Sequence, residues 1–361
     1  MILLWRIAFT LPILIAVGLF ANQNDQKDKP FSLRVPVDLV VVPVTVEDSD
    51  GNLVFGLQKE DFELYEEGVL QTITYFSQDP VPISAAILID RSTDEATQSN
   101  LRQTLVPLVE SFSPFDEVAI FQFENTTDKI QGFTSNKDEI LKAFGKISLT
   151  SASAGFAGGP VGGAGGELGG QTSISGIPLE TATRKVQPPK TLNTHIHDAI
   201  FTAAQELRVR DRSRRGVIVI ISNGQNAPGN RHSYDATMEA VNQREIGIYA
   251  IAQGSSLLYR KLNILSKYAT PTGGAVFYPV KSGSFVESYQ RIAQMARNKY
   301  VLGYLPANEA ETITFRKISV KLKNTTVKAE KIRTRSGYYA VPTAFRPRSP
   351  IRDKSEPKGS P

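Results

Sequence analysis

The sequence predicts a doubly wound, Rossmann-like α/β domain in which strands and helices alternate. A small β-sandwich-like module, formed by segments from both ends of the chain, is expected to flank it. Apolar strand patterns and helical patterns alternate from residue 80 to 300, which is typical of a sheet covered by helices on both faces. Residues 31–79 and 301–341 have the short alternating patterns of paired strands instead. With 361 residues and 41% hydrophobic content, the chain can bury a full core.

The N-terminal module begins with a β-branched run at Val37–Val46. Pro43 interrupts this run, and because proline has no N–H for a sheet ladder, the run is expected at a sheet edge or a bulge. Two further strands are predicted at Phe62–Tyr65 and Gln71–Ser77, separated by the Glu67-Gly68 turn.

The α/β part, residues 80–300, opens with the run Ile83–Ile89, which is apolar except at Ser84 and indicates a parallel strand buried on both faces. A helix is predicted at Thr97–Phe112, and Pro107 is expected to kink or end it. The next predicted elements are strands at Val118–Phe123 and Lys129–Phe133 and a helix at Lys137–Ile147 capped by Asn136.

A glycine-rich flexible insertion is predicted at residues 148–190, with nine glycines between residues 155 and 170. The alternation then resumes with helices at Ile196–Val209, Tyr234–Glu245, Leu257–Tyr268 and Phe285–Asn298 and strands at Val217–Ser222, Ile246–Ala252 and Ala275–Tyr278. Residues 301–341 are expected to form strands that pair with the N-terminal module. The basic tail at 342–361 has the composition of a disordered segment.

Residues 1–21 are expected to be a secretory signal peptide or, as the alternative, an uncleaved N-terminal anchor. One basic residue, Arg6, precedes an apolar run at 7–20, which suits a leader and is short for a membrane span. Gly18 and Ala21 offer small residues for cleavage. Either way, the folded part is expected to be secreted, periplasmic or associated with a bacterial cell envelope, where a chain without cysteine avoids wrong disulfides.

Cysteine is absent from the sequence, which excludes disulfides, thiolate zinc sites, cysteine nucleophiles and cysteine-bound iron–sulfur clusters. The three histidines are His195, His197 and His232, and an H-x-H pair without a third imidazole is a weak pattern for zinc. Residues 165–172 resemble a phosphate loop but have Gln171 where that loop needs lysine. The sequence therefore predicts neither a dedicated zinc site nor a nucleotide site.

The two ends of the chain carry opposite charge, although the net charge is only +5. Residues 38–79 contain ten acidic residues and one lysine, whereas residues 311–340 contain eight basic and two acidic residues. This distribution favours association of the two ends of the chain; the alternative is that both are ordinary solvated surfaces. Nucleic-acid binding is not favoured, because the acidic part would repel phosphate.

Oxygen-bearing side chains follow the strands of the predicted sheet. Asp90, Ser92 and Asp94 follow the first buried strand, Thr194 precedes a helix, and Asn223 follows a later strand. Loops at the carboxyl ends of strands meet where the strand order reverses, so these side chains are expected to converge. Carboxylate, hydroxyl and carboxamide oxygens are hard ligands that suit Mg²⁺ or Mn²⁺.

This arrangement resembles a von Willebrand factor type A domain, whose metal-ion-dependent adhesion site (MIDAS) has the pattern D-x-S-x-S, followed by a threonine and an aspartate. The stretches G-L-Q-K-E-D-F-E-L-Y-E-E-G at 56–68, Y-V-L-G-Y-L-P at 300–306 and R-S-G-Y-Y at 335–339 are similar to the acidobacterial-type von Willebrand A-related family of exported bacterial proteins. The similarity covers residues 35–341.

The resemblance implies a modified, degenerate adhesion site. Asp90 and Ser92 match the first aspartate and serine, and Thr194 is the best candidate for the threonine. Asp94 stands where the family has its second serine, and Asn223 stands where it more often has an aspartate. If Asp94 reaches the ion, a cation is held but attracts a partner carboxylate less strongly; if Asp94 caps the following helix, the site binds metal weakly or not at all.

The implied function is that of a non-enzymatic, exported binding or adhesion-type protein. In the first hypothesis, an acidic residue of a protein partner completes the coordination of Mg²⁺ or Mn²⁺. The alternative is a metal-independent envelope scaffold on a decayed site. A metal-assisted hydrolase would need a positioned base, which the pattern lacks. No nucleic-acid partner is expected, and membrane contact is expected only through an uncleaved N-terminal anchor.

Overall fold

A computed structural model describes residues 39–92, 95–147, 194–253, 264–308, 310–323 and 331–342. The predicted leader, the glycine-rich insertion at 148–190, the residues of the basic tail after 342 and the candidate site residue Asp94 lie outside these ranges. Within the described part of the chain, no helix is both long enough and apolar enough to span a membrane.

Strands at both ends of the described chain surround a central run of alternating strands and helices. The strands are β1 (Val40–Glu47), β2 (Phe62–Glu66), β3 (Val69–Gln71), β4 (Ile73–Ser77), β5 (Ile83–Asp90), β6 (Glu117–Phe123), β7 (Thr127–Thr134), β8 (Arg215–Ser222), β9 (Gly247–Ala252), β10 (Val276–Phe277), β11 (Tyr300–Tyr304), β12 (Thr314–Leu322), β13 (Lys331–Thr334) and β14 (Gly337–Ala340). The helices are α1 (Glu95–Glu110), α2 (Lys137–Phe144), α3 (Ile196–Arg208), α4 (Tyr234–Asn242), α5 (Ile264–Ala269) and α6 (Ser282–Arg297).

The central sheet has six strands in the order β10-β9-β8-β5-β6-β7, parallel except for β7, which runs antiparallel to β6. The strand order reverses between β5 and β8, as in a doubly wound sheet. All eight residues of β5 are buried, because alternate side chains pack against α1, α2 and α6 on one face and against α3, α4 and α5 on the other. The predicted mixed α/β fold is confirmed.

Helix ends depend on local hydrogen bonds. Asn136 caps α2 as predicted, and its side-chain oxygen accepts from the N–H groups of Asp138 and Glu139. Pro107 does not end α1, which continues to Glu110. Proline removes its own donor but keeps its carbonyl, and Pro107 O accepts from Ser111 N at 3.1 Å.

Two four-stranded antiparallel sheets combine the ends of the described chain. Their strand orders are β13-β1-β11-β4 and β14-β12-β2-β3, and side chains from both sheets share one apolar cluster. Arg316 pairs with Glu66 at 2.9 Å and Arg333 pairs with Glu47 at 2.8 Å, so acidic side chains of β1 and β2 meet basic ones of β12 and β13. That these two sheets form a separate β-sandwich-like module stays a prediction, and so do the domain boundaries.

The prediction of an edge strand or bulge around Pro43 is wrong, because β1 lies between β11 and β13. Pro43 pairs with Val301 of β11, whereas pairing with β13 starts one residue later, at Val44. On that side the Pro43 carbonyl accepts from the side-chain hydroxyl of Thr334. Proline is therefore tolerated within an inner strand, because the ladder that would use its N–H begins only at the next residue, Val44.

Asp116, next to the amino end of β6, makes stability sensitive to acid. Burial by itself raises the pKa of its carboxyl, but hydrogen bonds from Ile83 N (2.9 Å), from Arg297 and from Ser113 N (2.7 Å) outweigh burial and lower the pKa. A carboxyl with a lowered folded-state pKa stabilises the fold above its ordinary pKa and loses that contribution as pH falls through the folded value.

We therefore expect Asp116→Asn to lower the free energy of unfolding at pH 7 by about 1–3 kcal/mol, since it weakens hydrogen bonds to a charged group. The difference from the wild type should shrink as pH falls below about 4 and through the lowered folded-state pKa, because the wild-type carboxyl then becomes protonated as well. Urea denaturation followed by circular dichroism at pH 7, 5 and 3 measures it, with the exposed Asp128→Asn as control. A difference that stays constant with pH would contradict the assignment.

Candidate functional site

The candidate site lies at the carboxyl ends of β5 and β8, where the strand order of the central sheet reverses. Asp90 ends β5 and Ser222 ends β8, one residue beyond the paired Ile89 and Ile221. Parallel strands that end at the same level place their following loops side by side. The loops after β5 and β8 are therefore neighbours at this edge of the sheet.

Thr194 enters the site from the segment before α3, which hydrogen bonds hold in place. Its carbonyl accepts from Ala227 N at 2.7 Å, and the next N–H, that of His195, donates to Glu124 O at 2.7 Å. The first N–H of α3, on Ile196, donates to the side-chain oxygen of Asn226 at 2.8 Å. Thr194 is thus tied to the loops after both β6 and β8.

A continuous chain of hydrogen bonds joins the site residues. Thr194 Oγ1 donates to Ser92 Oγ at 2.7 Å, and Ser92 Oγ donates to Asp90 Oδ1 at 2.6 Å. Ser222 Oγ donates to the other carboxylate oxygen, Asp90 Oδ2, at 2.6 Å. Asn223 Nδ2 lies 3.4 Å from Ser92 Oγ, at the long end of hydrogen-bond range.

Asp90 is the buried centre of this group, with 1% of its surface exposed. Burial raises its carboxyl pKa, and hydrogen bonds from Ser222, Ser92 and Asn223 only partly oppose that rise. Its first oxygen also accepts from Ser92 N at 2.8 Å. Thr194 is equally buried, whereas Ser92 and Asn223 are half-buried and form the accessible side of the site.

The structure brings together four of the five predicted site residues, namely Asp90, Ser92, Thr194 and Asn223. The fifth, Asp94, lies outside the described residues. Ser222 belongs to the same hydrogen-bonded group but was not among the predicted residues. Its position gives the signal that could have found it, since it ends a strand beside Asp90 and directly precedes Asn223.

By type, the donors fit a hard cation such as Mg²⁺ or Mn²⁺. They are a carboxylate and several hydroxyls, and a hydroxyl hydrogen can rotate away to expose an oxygen lone pair to a cation. Within the described part of the chain, no three histidine, aspartate or glutamate side chains are grouped as a metal site would need. A cation here would therefore depend on hydroxyls and on one described carboxylate, that of Asp90.

The three histidines have other partners near α3. His195 Nδ1 contacts Asn125 O at 3.1 Å, and His197 Nδ1 contacts the Tyr268 hydroxyl at 2.5 Å. His232 Nδ1 lies 2.8 Å from Asp198 Oδ1. These contacts connect α3 to the surrounding segments.

No protein-family model matches the sequence, and no curated protein matches it. Among solved structures, the chain is similar to proximal thread matrix protein 1 from the mussel byssus, at 11% identity over 62% of this chain and 49% of that chain, with a TM-score of 0.40. The chain thus spans about half the length of the byssus protein. One structure of the byssus protein has zinc in its MIDAS motif.

Two further similar structures are shorter chains. An aerotolerance-related membrane protein from Bacteroides fragilis NCTC 9343 is 14% identical over 59% of this chain and 98% of its own, with a TM-score of 0.39. The SpRpn10 VWA domain is 13% identical over 57% of this chain and 94% of its own, with a TM-score of 0.33. Identities and TM-scores this low support no statement about function.

Proposed function

We propose that the protein is a non-enzymatic binding protein of the von Willebrand A type, and that it holds protein partners at the site around Asp90. The hydrogen bonds that join Thr194, Ser92, Asp90 and Ser222 carry this proposal, because these residues come from three separate segments of the sequence at the switch point of the sheet. The half-buried Ser92 and Asn223 give a partner access to the site.

In the first form of the proposal, Mg²⁺ or Mn²⁺ binds at Asp90, Ser92 and Thr194, and Asp94 and Asn223 complete the protein ligands. The cation supplies positive charge for an acidic residue of the partner. The protein supplies a preformed arrangement of oxygens, since Ser92 Oγ already contacts Thr194 Oγ1 at 2.7 Å and Asp90 Oδ1 at 2.6 Å.

In the second form, the protein is a metal-independent scaffold of the cell envelope. Asn223 favours this alternative, because its amide nitrogen faces Ser92 Oγ at 3.4 Å where the family more often has an acidic residue. Both oxygens of Asp90 also have hydroxyl donors already, from Ser92 and Ser222. In either form we propose a secreted, periplasmic or envelope location, which rests on the leader-like residues 1–21.

Metal titration tests the first form. We expect Mg²⁺ or Mn²⁺ to release or absorb heat in calorimetry and, at one hundred times its dissociation constant, to stabilise the wild type by about 2.7 kcal/mol. Asp90→Ala should abolish both effects, whereas the exposed Asp128→Ala should retain them. A wild type that shows neither heat nor thermal shift would exclude the first form.

Capture of partners from an envelope extract separates the two forms. If a cation mediates binding, EDTA and Asp90→Ala should each release the captured partner, and added Mg²⁺ should restore binding only to the wild type. Capture that withstands both EDTA and Asp90→Ala supports the metal-independent scaffold. Retained circular dichroism of Asp90→Ala is the control for folding.

A further inference from the structure

A cavity of about 430 Å³ lies at the opposite end of the central sheet from Asp90. Its lining includes Ser84, the second residue of β5, and Arg215 and Gly216, the first two residues of β8. The strand β1 contributes Val41 and Pro43 to another wall. The volume is in the range of small-molecule sites, which are typically about 300–1,000 Å³.

Arginine dominates the charged groups of this cavity. Five arginines line it, against two acidic residues, Asp211 and Glu245. The five are Arg210, Arg212, Arg214, Arg215 and Arg244. The lining therefore has a marked excess of positive charge within a confined space.

Most of this charge has no acidic partner. Arg210 pairs with Glu117 at 2.6 Å, and Glu245 pairs with Arg335 at 3.5 Å, so those charges are largely matched. Among the described residues, none of the other four arginines has a carboxylate oxygen within 4.0 Å. Burial lowers the pKa of Arg215, and the charge of Glu245 opposes this lowering only in part.

Backbone carbonyls hold three of these guanidinium groups in place. Arg214 Nη1 donates to Ile83 O and Phe115 O, and Arg215 Nη1 donates to Ala296 O and Arg297 O. Arg244 Nη2 donates to Leu207 O and Arg210 O. Each of these three arginines uses a single nitrogen for these bonds, and within the described part of the chain its other nitrogens form no hydrogen bond to the protein.

We propose that this cavity binds a small, multiply charged oxyanion, namely phosphate or a soluble phosphate monoester. Guanidinium groups donate paired hydrogen bonds to phosphate oxygens, and a dianion would balance the excess charge better than a single carboxylate. Ser77 and Ser84 line the same space, but their hydroxyls already donate to Asp79 and Glu117, so the guanidinium groups are the donors for the anion. The site is independent of the proposed partner-binding function, since it lies at the other end of the sheet.

Calorimetry with inorganic phosphate and pyrophosphate, at constant ionic strength set with sodium chloride, tests the proposal. We expect saturable binding of both anions by the full chain, tighter for pyrophosphate, and no binding of acetate. Arg212→Gln should weaken phosphate binding at least tenfold without unfolding the protein, because Arg212 is exposed and, among described residues, forms no ion pair.

Arg215→Lys keeps the charge but loses the planar fork, and it should weaken phosphate binding as well. The matched control is Arg231→Gln, an exposed arginine outside the cavity lining, which should bind phosphate like the wild type. Absence of phosphate binding, or equal weakening by Arg231→Gln, would overturn the proposal. A third result would also overturn it: the protein binds phosphatidylcholine vesicles that contain phosphatidic acid but does not bind free phosphate. The site would then recognise a lipid surface.

Discussion

Replacing Glu66 with alanine is expected to lower the free energy of unfolding by about 3–5 kcal/mol, the cost of removing one partner from a buried ion pair. Glu66, near the N-terminal end of the described chain, is 8% exposed. Its carboxylate accepts from Arg316 at 2.9 Å, from the Tyr338 hydroxyl at 3.0 Å and from the Tyr304 hydroxyl. Alanine would leave a half-buried guanidinium and two phenols without this acceptor.

Denaturation in urea, followed by far-ultraviolet circular dichroism, measures this effect. Glu66→Gln keeps one carbonyl acceptor and should lose less, about 1–3 kcal/mol. The control Glu60→Ala removes a carboxylate with 74% of its side chain exposed and should change stability by less than about 0.5 kcal/mol. Equal stability of Glu66→Ala and Glu60→Ala would show that the carboxylate does not couple the two ends of the described chain.

The central sheet was the most predictable part of the fold, because its strands are buried on both faces. Ile83–Ile89 is apolar at every position but Ser84, and the structure extends this strand by one residue to Asp90. The pairing of β1 was harder to predict, since a proline in a strand argues for an edge. Only the neighbouring strand shows that the ladder on that side starts at Val44, just after Pro43.

The site was predictable where its residues follow strands of the sheet. Asp90 and Asn223 could be placed from the strand ends, and the structure puts both beside Ser92. Ser222 was not among the predicted site residues because it was assigned to the strand, although its place at the strand end, directly before Asn223, is a usable signal. The role of Asp94 stays a prediction, since it lies outside the described residues.

The arginine-lined cavity could not be predicted from polar residues that follow strands, which is the pattern that predicted the site around Asp90. Four of its arginines lie within R-D-R-S-R-R at 210–215, but a charged run between a helix and a strand is also what an ordinary solvated loop looks like. The fifth, Arg244, follows α4 some thirty residues later, and only the fold brings it to the same space. Carbonyl groups at the ends of α3 and α6 then orient the side chains.

Gly274→Ala is expected to destabilise the protein by about 3 kcal/mol or more, because a buried backbone leaves no room for a methyl group. A Cβ at this position would overlap the carbonyl oxygen of Ile248 and lie 2.7 Å from its carbonyl carbon. Ile248 belongs to β9, which is buried and pairs with β8 on its other side, so the strand cannot move without disturbing the sheet.

Thermal and urea denaturation of Gly274→Ala should show this loss. Gly283→Ala is the matched control, because a Cβ there has no atom within 4 Å, and alanine within α6 should leave stability unchanged or raise it by at most about 1 kcal/mol. If both variants unfolded at the same urea concentration, the close approach of Gly274 to β9 would be wrong. Ile246, the residue just before β9, lines the arginine-lined cavity. Gly274→Ala should therefore also bind phosphate more weakly than Gly283→Ala does.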